Sequence, residues 1–175
     1  MRTFIALELP NDFASDVAKI EAQLAPSMNA RFTPEQSLHL TLAFLGNLET
    51  SSQVAATRKA IELATSNFAP VSLHPEGLGY FGSPTDATVW LGVSPTPALM
   101  NLAKSVKAEL SVKGLPFDQT PFKPHITLAR KAHIEHADFK SCKLPDTAHA
   151  TKVTIFKSEL NSQGAHYTPL HSVVL

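Results

Sequence analysis

Two four-residue segments repeat one order of residue types, His39-Leu40-Thr41-Leu42 and His125-Ile126-Thr127-Leu128. Side chains alternate between the two faces of a β-strand, so each histidine shares a face with the threonine two residues later. An imidazole can accept or donate a proton near neutral pH, and a hydroxyl can donate a hydrogen bond to a phosphoryl oxygen. Two such strands on opposite sides of a phosphorus could deprotonate an attacking oxygen and protonate a leaving one. The repeat therefore indicates acid–base chemistry at phosphorus.

The alternative interpretation of the repeat is structural, with partly buried histidines bonded to the backbone and threonines chosen for their β-propensity. With Leu or Ile between them and Leu after, this composition predicts only about 0.01 such segments per chain. Two copies, both in strand-like contexts, favour the functional interpretation. Arg130 has the chemistry to bind a phosphate, but a regular strand would place it on the face opposite His125. A bulge or the end of the strand is needed to bring it to the site.

Both strands and helices must position these residues. Apolar patterns and turn residues predict strands over residues 4–9, 38–45, 71–73, 88–93, 125–130, 151–160 and 166–174, with a short strand near 31–33 and a turn over 161–164. Helices are predicted after a cap at Asn11, after Thr50-Ser51 and at Thr96-Pro97. Because several strands follow one another directly, the predicted class is α+β.

The composition of the 175 residues predicts one compact domain over 1–175. Lys plus Arg (15) equals Asp plus Glu (15), which excludes a protein that coats long nucleic acid through backbone charge. The single cysteine, Cys142, excludes a disulfide scaffold. With no long apolar run and no signal-peptide pattern, we expect a cytoplasmic protein that does not bind membranes.

Two other motifs compete for a functional interpretation. Residues 77–82 match the G-x-G-x-x-G pattern of dinucleotide-binding loops, but a strand-like segment follows where a helix is required, so the glycines are predicted to serve turns. His133 and His136 could lie one helical turn apart as metal ligands. No third ligand accompanies them, so a solvated surface turn is predicted. We expect neither a cofactor nor a metal.

Five segments of the sequence, residues 4–10, 38–46, 89–93, 121–130 and 167–170, resemble the 2H phosphoesterase superfamily. Within it, the chain is most similar to the RNA 2′,3′-cyclic phosphodiesterases, also called 2′-5′ RNA ligases. The resemblance implies a single bilobal domain with one H-x-T-x motif in each lobe, at 39–42 and 125–128. It also implies antiparallel sheets that face a central cleft, with the helices on the outside.

The resemblance implies that His39 is the proton donor and His125 the proton acceptor, whereas the spacing alone leaves these roles open. Its implied phosphate ligands are Thr41, Thr127 and Arg130. The implied reaction converts a terminal 2′,3′-cyclic phosphate of RNA to a 2′-phosphate without metal, and a 5′-hydroxyl replaces water in the ligase reaction.

The aromatic residues near the motifs could stack a terminal base. The candidates are Phe4, Phe32 and Tyr167, although Phe32 stands where the family often has tryptophan.

Three alternatives remain open at this stage. The protein could act on small cyclic nucleotides, act on ADP-ribose 1″,2″-cyclic phosphate, or bind RNA ends without catalysis. The expected partners are RNA with 2′,3′-cyclic phosphate ends or cyclic nucleotides. No protein partner is implied, and we expect a monomer.

Overall fold

A computed structural model of the chain describes residues 1–162 and 164–175. These residues form ten strands and three α-helices. The strands are β1 (Arg2–Glu8), β2 (Asn29–Phe32), β3 (His39–Asn47), β4 (Val71–Leu73), β5 (Pro75–Ser83), β6 (Asp86–Val93), β7 (His125–His133), β8 (Ala148–Ala150), β9 (Lys152–Asn161) and β10 (Gly164–Val174). The helices are α1 (Asn11–Leu24), α2 (Ser51–Thr65) and α3 (Pro97–Val112).

All of the strand pairs are antiparallel, and the main sheet has the order β10-β9-β1-β3-β7-β6-β5, with β2 added on β7. Strands β3 and β7 meet at a single register position, Leu40 opposite Ile126. Both of these side chains are fully buried. The sheet therefore consists of two halves that are joined at the centre of the two repeated motifs.

The helices begin where local chemistry stabilises their first turn. Thr50 and Gln53 form a capping box, in which each side chain bonds the other residue's backbone N–H. Thr96 caps α3 by accepting from the Leu99 N–H, and Pro97 occupies the first helical position, where no N–H is needed. These caps confirm the predicted starts of α2 and α3. The predicted cap of α1 was wrong, because Asn11 is the first residue within the helix, Pro10 precedes it, and no side chain caps this end.

One hydrophobic face of each helix closes over the sheet. Helix α1 buries Phe13, Val17, Ile20 and Leu24, which recur at helical spacing. Helix α3 likewise buries Leu99, Leu102, Ala103, Val106 and Leu110. Strands β4 and β8 form a separate two-stranded sheet. No helix among the described residues is long and apolar enough to span a bilayer.

The predicted α+β class is confirmed, and most predicted strands are present within two or three residues of their ends. One prediction was wrong, because the glycines of residues 77–82 lie within strand β5 rather than in turns. The predicted turn over 161–164 includes Gln163, which lies outside the described residues.

Candidate active site

His39 is the first residue of β3, and hydrogen bonds fix both sides of its ring. Its Nδ1 lies 2.7 Å from the Ser37 carbonyl oxygen, and its Nε2 lies 3.1 Å from the Thr41 Oγ1. A carbonyl oxygen can only accept, so Nδ1 carries the hydrogen and donates it to Ser37. The neutral imidazole therefore has its basic nitrogen, Nε2, beside the Thr41 hydroxyl.

His125 begins β7 in the same way. Its Nδ1 lies 2.6 Å from the carbonyl oxygen of Lys123, again two residues before the histidine. The same reasoning assigns the hydrogen to Nδ1 and leaves Nε2 to act as a base or, when protonated, as an acid. The two motifs are thus alike in anchoring as well as in sequence.

The junction between β3 and β7 brings the motifs together. With Leu40 opposite Ile126, the same antiparallel register continued by one residue places His39 across from Thr127 and Thr41 across from His125. The apolar residues between them are buried, whereas all four polar side chains are partly exposed. Two imidazoles and two hydroxyls therefore share one face, as the alternation of each strand predicts.

The surroundings of His39 favour its neutral form. Burial lowers the pKa of His39 below its usual value, and the hydrogen bond to Ser37 opposes that effect. The positive charge of Arg130 and electrostatic interaction with His125 lower the pKa of His39 further. A bound phosphate would act in the opposite direction, because a neighbouring negative charge stabilises the imidazolium.

Arg130 reaches the site because β7 contains a bulge. Opposite β6, Thr127 pairs with Trp90 but Ala129 pairs with Val89, so Leu128 is an extra residue in β7. Leu128 and Ala129 are consequently both buried, and Arg130 returns to the exposed face that carries Thr127. This is the bulge that the sequence required for Arg130 to reach a phosphate.

The charge of Arg130 is available to a ligand. Its side chain is exposed, and it makes no hydrogen bond or ion pair with another side chain in the part of the chain that the structure describes. It nevertheless lies close enough to His39 to lower the pKa of that imidazole. A phosphate bound between them would contact a guanidinium and an imidazole together.

The three predicted stacking residues lie in different settings. Tyr167 on β10 is partly exposed and meets the ring of His39 edge-on, with 5.3 Å between ring centroids. Phe4 lies 4.8 Å from the His39 ring but is only 3% exposed, so it supports the imidazole and has no free face for a base. Phe32 packs against the core beside Val17 and Leu128, away from both histidines.

Sequence reasoning missed four aromatic residues around the site. Phe44 and Phe156 flank Phe4 in register across β3, β1 and β9. Phe81 and Trp90 lie beside His125. Their strands pair over long sequence separations, which no local pattern reveals. Only Phe44 had a sequence pattern that could have identified it. It lies five residues after His39, as Arg130 lies five residues after His125.

A cavity of about 640 Å³ opens on the His39 side of the junction. Its walls include His39, Tyr167 and Phe156, together with the ion pair between Lys152 Nζ and Glu8 Oε2 at 2.8 Å. The cavity therefore has both polar and aromatic lining residues. Such a lining suits a nucleoside, which has a flat aromatic base and a polar sugar.

The competing motifs have other roles. His133 ends β7 and His136 lies in the following turn, both exposed, so the predicted surface turn is confirmed. Among the described residues, no three His, Cys, Asp or Glu side chains converge as metal ligands. The G-x-G-x-x-G segment is strand β5 and does not open a helix.

Comparison with known proteins agrees with this geometry. The sequence profile of the 2′-5′ RNA ligase superfamily matches residues 9–159. The chain belongs to this superfamily. A superfamily relative from Thermotoga maritima named RNA 2′,3′-cyclic phosphodiesterase is 30% identical over 98% of this chain and 94% of its own. An Escherichia coli protein of the same name is 28% identical over 97% of this chain and 93% of its own.

Solved structures confirm the bilobal 2H phosphoesterase fold that the superfamily shares. The crystal structure of E. coli LigT complexed with 3′-AMP has a TM-score of 0.75 and 26% identity, over 99% of this chain and 97% of that one. A crystal structure described as a phosphoesterase has a TM-score of 0.77 and 26% identity, over 99% and 98% of the two chains.

Proposed function

We propose that this protein is an RNA 2′,3′-cyclic phosphodiesterase. The observation that carries the proposal is that the two His-x-Thr motifs meet at the Leu40–Ile126 pair. Each imidazole is anchored through Nδ1. In the proposed arrangement, the two Nε2 atoms transfer protons on opposite sides of one phosphorus. A pair of positioned imidazoles can act as acid and base in the same reaction.

The proposed reaction opens the cyclic phosphate by in-line displacement. His125 takes a proton from water as the water oxygen bonds to phosphorus. The negative charge of the bound phosphate keeps His39 protonated at Nε2. The bond between phosphorus and O3′ breaks, and His39 gives this Nε2 proton to O3′. The product is a 2′-phosphomonoester with a free 3′-hydroxyl, and the two histidines return to their starting states by exchanging protons with solvent.

The remaining residues stabilise the charge that builds on the phosphoryl oxygens. We assign Thr41 and Thr127 as hydrogen-bond donors to these oxygens and Arg130 as a positive charge beside them, and the shared face of the three side chains supports this. Donors that are fixed in advance stabilise a transition state without having to reorganise. None of these roles needs a metal ion, and we propose metal-independent catalysis.

Ligation follows from the same chemistry. A 5′-hydroxyl of a second RNA end can take the place of water, which yields a 2′-5′ linkage, and the superfamily to which the chain belongs is described by that reaction. The names of the relatives support RNA ends as substrates. We propose that the protein acts as a monomer in the cytoplasm.

The test is hydrolysis of a short RNA with a 2′,3′-cyclic phosphate end, with products identified by mass spectrometry. His39→Ala and His125→Ala should each lose about 10²- to 10⁴-fold in turnover, the usual contribution of one positioned acid or base. Thr41→Ala and Thr127→Ala should lose about 10- to 10³-fold. The double histidine variant should lose less than the product of the singles, because both groups act in one transition state.

His133→Ala is the matched control, since His133 is an exposed histidine at the far end of the same strand as His125. It should retain parental turnover. Assays of metal-stripped protein in excess EDTA should also retain it. Parental hydrolysis by a folded His39→Ala variant, or activity that returns only with zinc or manganese, would contradict the proposal. Preference for cyclic mononucleotides over RNA ends would favour the small-nucleotide alternative.

A further inference from the structure

The side of the site next to His125 carries an aromatic surface formed by Phe81 and Trp90, which we call the Phe81–Trp90 surface. The Phe81 ring meets the His125 ring edge-on at 5.3 Å and 90°. Phe81 and Trp90 lie 5.3 Å apart, and Trp90 lies 6.4 Å from His125. Both rings therefore border the imidazole that is proposed to activate the nucleophile.

Strand register places this surface on the face of the catalytic motif. Trp90 pairs with Thr127, and Gly79 pairs with Trp90, so these residues point to one side of the sheet. Phe81 lies two residues after Gly79 in a regular part of β5 and shares that side. Phe81 is 39% exposed as a residue, so its side chain is not covered by the rest of the protein.

Gly79 is the residue that allows the indole to lie flat on β5. A Cβ at this position would lie 2.3 Å from Cη2 of Trp90 and 2.5 Å from Cζ2, both closer than atoms can pack. The indole thus occupies the space that a side chain at position 79 would fill. Glycine here serves a close approach between strands, not a turn or a dinucleotide.

The two histidines have different neighbours, which suit different parts of the reacting RNA. His39 borders the cavity of about 640 Å³, which suits the nucleoside that carries the cyclic phosphate. His125 borders the Phe81–Trp90 surface instead. Water as the nucleophile needs no such surface, whereas a 5′-hydroxyl belongs to a nucleoside whose base must lie near His125.

We propose that the Phe81–Trp90 surface stacks the base of the second nucleoside, the one that supplies the 5′-hydroxyl in ligation. The inference rests on the proposed function and on its assignment of the nucleophile to His125. In ligation, the 5′-oxygen bonds to phosphorus, the bond from phosphorus to O3′ breaks, His125 takes the 5′-hydroxyl proton, and His39 protonates O3′. In the reverse reaction the same surface holds the base of the departing nucleoside.

The experiment measures kcat/KM of the parent and of each variant with two substrates. The first is adenosine 2′,3′-cyclic phosphate, which has a single nucleoside, and the second is 2′-5′-linked ApA, which has two. Phe81→Leu should lower the ratio of kcat/KM for ApA to that for the cyclic mononucleotide by about 5- to 100-fold, the range expected for one lost base stack. The loss should appear mainly as a higher KM for ApA, since stacking is present before the transition state.

Gly79→Ala should lower the same ratio, because the new Cβ displaces the Trp90 indole while every aromatic residue is retained. Tyr80→Leu is the matched control. Tyr80 neighbours Phe81 and is 42% exposed, but it lies on the opposite face of β5. The Tyr80→Leu variant should have the same ratio of kcat/KM for ApA to kcat/KM for the cyclic mononucleotide as the parent.

The outcomes separate the two proposals. A parent protein that attacks neither substrate contradicts the proposed function itself. A parent that opens the cyclic phosphate but cannot cleave ApA, or a Phe81→Leu variant with an unchanged ratio, overturns only the second-nucleoside inference. Equal losses on both substrates would show that Phe81 merely supports His125, and would overturn it too.

Discussion

His39 holds its imidazole in a partly buried position, and burial lowers its pKa below the usual value, so that the neutral form is favoured. The unfolded chain therefore binds a proton at His39 at a higher pH than the folded chain does. As the pH falls from about 7 towards 5, protonation stabilises the unfolded state first. The contribution of a neutral His39 to stability should be complete above the ordinary histidine pKa and should decrease below it.

The first prediction compares the parent with His39→Asn, which keeps a donor for the Ser37 carbonyl but cannot titrate. The free energy of unfolding from urea titrations should fall more steeply between pH 7 and pH 5 in the parent than in this variant. The exposed His133→Asn serves as the control and should follow the parent. A parent and His39→Asn variant with parallel pH profiles would contradict the neutral, buried state of His39.

The second prediction concerns Arg130, whose charge adds to the effect of burial on His39. Removing that charge in Arg130→Gln should raise the pKa of His39 in the free protein, as followed by NMR titration of the imidazole. Arg58→Gln, which changes an exposed arginine on α2, should leave it unchanged. Arg130→Gln should also weaken substrate binding, because a charge-assisted contact to phosphate is lost. An unaltered His39 pKa would place Arg130 outside the site.

At the scale of elements, the strand bulges determine which side chains reach the active site. In both β3 and β7 an extra residue, Leu42 or Leu128, follows the threonine of the motif. The next exposed residue is Phe44 in one strand and Arg130 in the other. The sequence showed that Arg130 required a bulge, but the cross-strand register that produces it is a tertiary property.

The third prediction tests the backbone just after Arg130. Lys131 has a φ of 52°, a left-handed conformation that costs side-chain-bearing residues about 1–2 kcal/mol and β-branched residues the most. Lysine already bears that cost, so Lys131→Val should lose only the additional penalty of β-branching, about 1 kcal/mol, although valine normally favours strands. Lys131→Gly should be at least as stable as the parent. Denaturant titrations measure both, and a stabilising valine would contradict a left-handed residue at this position.

The elements that sequence reasoning predicted well are those with local signals. The cap at Thr50, the Thr96-Pro97 start and the apolar strands around both motifs are examples. Strand β5 was missed because its glycines resemble turn residues, although Gly79 is needed by an indole on the neighbouring strand. Among the three predicted stacking residues, Phe4 and Tyr167 lie beside His39, but Phe4 is buried and Phe32 packs under α1, so base stacking by Tyr167 stays a prediction. Sequence does not give side-chain direction across strands.

At the scale of the whole molecule, the fourth prediction is that the two lobes unfold as one unit. The motifs meet at the buried Leu40–Ile126 pair, and one continuous hydrophobic core contains residues of both halves. Trp90, the single tryptophan, reports on the His125 half, and far-UV circular dichroism reports on every helix and strand. Urea transitions from the two probes should coincide, as for a two-state domain. A tryptophan transition that separates from the dichroism would indicate two independent domains.

The matched carbonyl anchors of His39 and His125 also bear on the direction of the chemistry. Each ring is held through Nδ1 by a carbonyl two residues earlier, so the proposed acid and the proposed base both act through Nε2. Such a catalyst lowers the same barrier for ring opening and ring closure, so it sets rates and leaves the equilibrium position untouched. Whether an RNA end is hydrolysed or joined then depends on competition between the activity of water and the local concentration of alcohol. The protein can bias that competition by holding the alcohol in place.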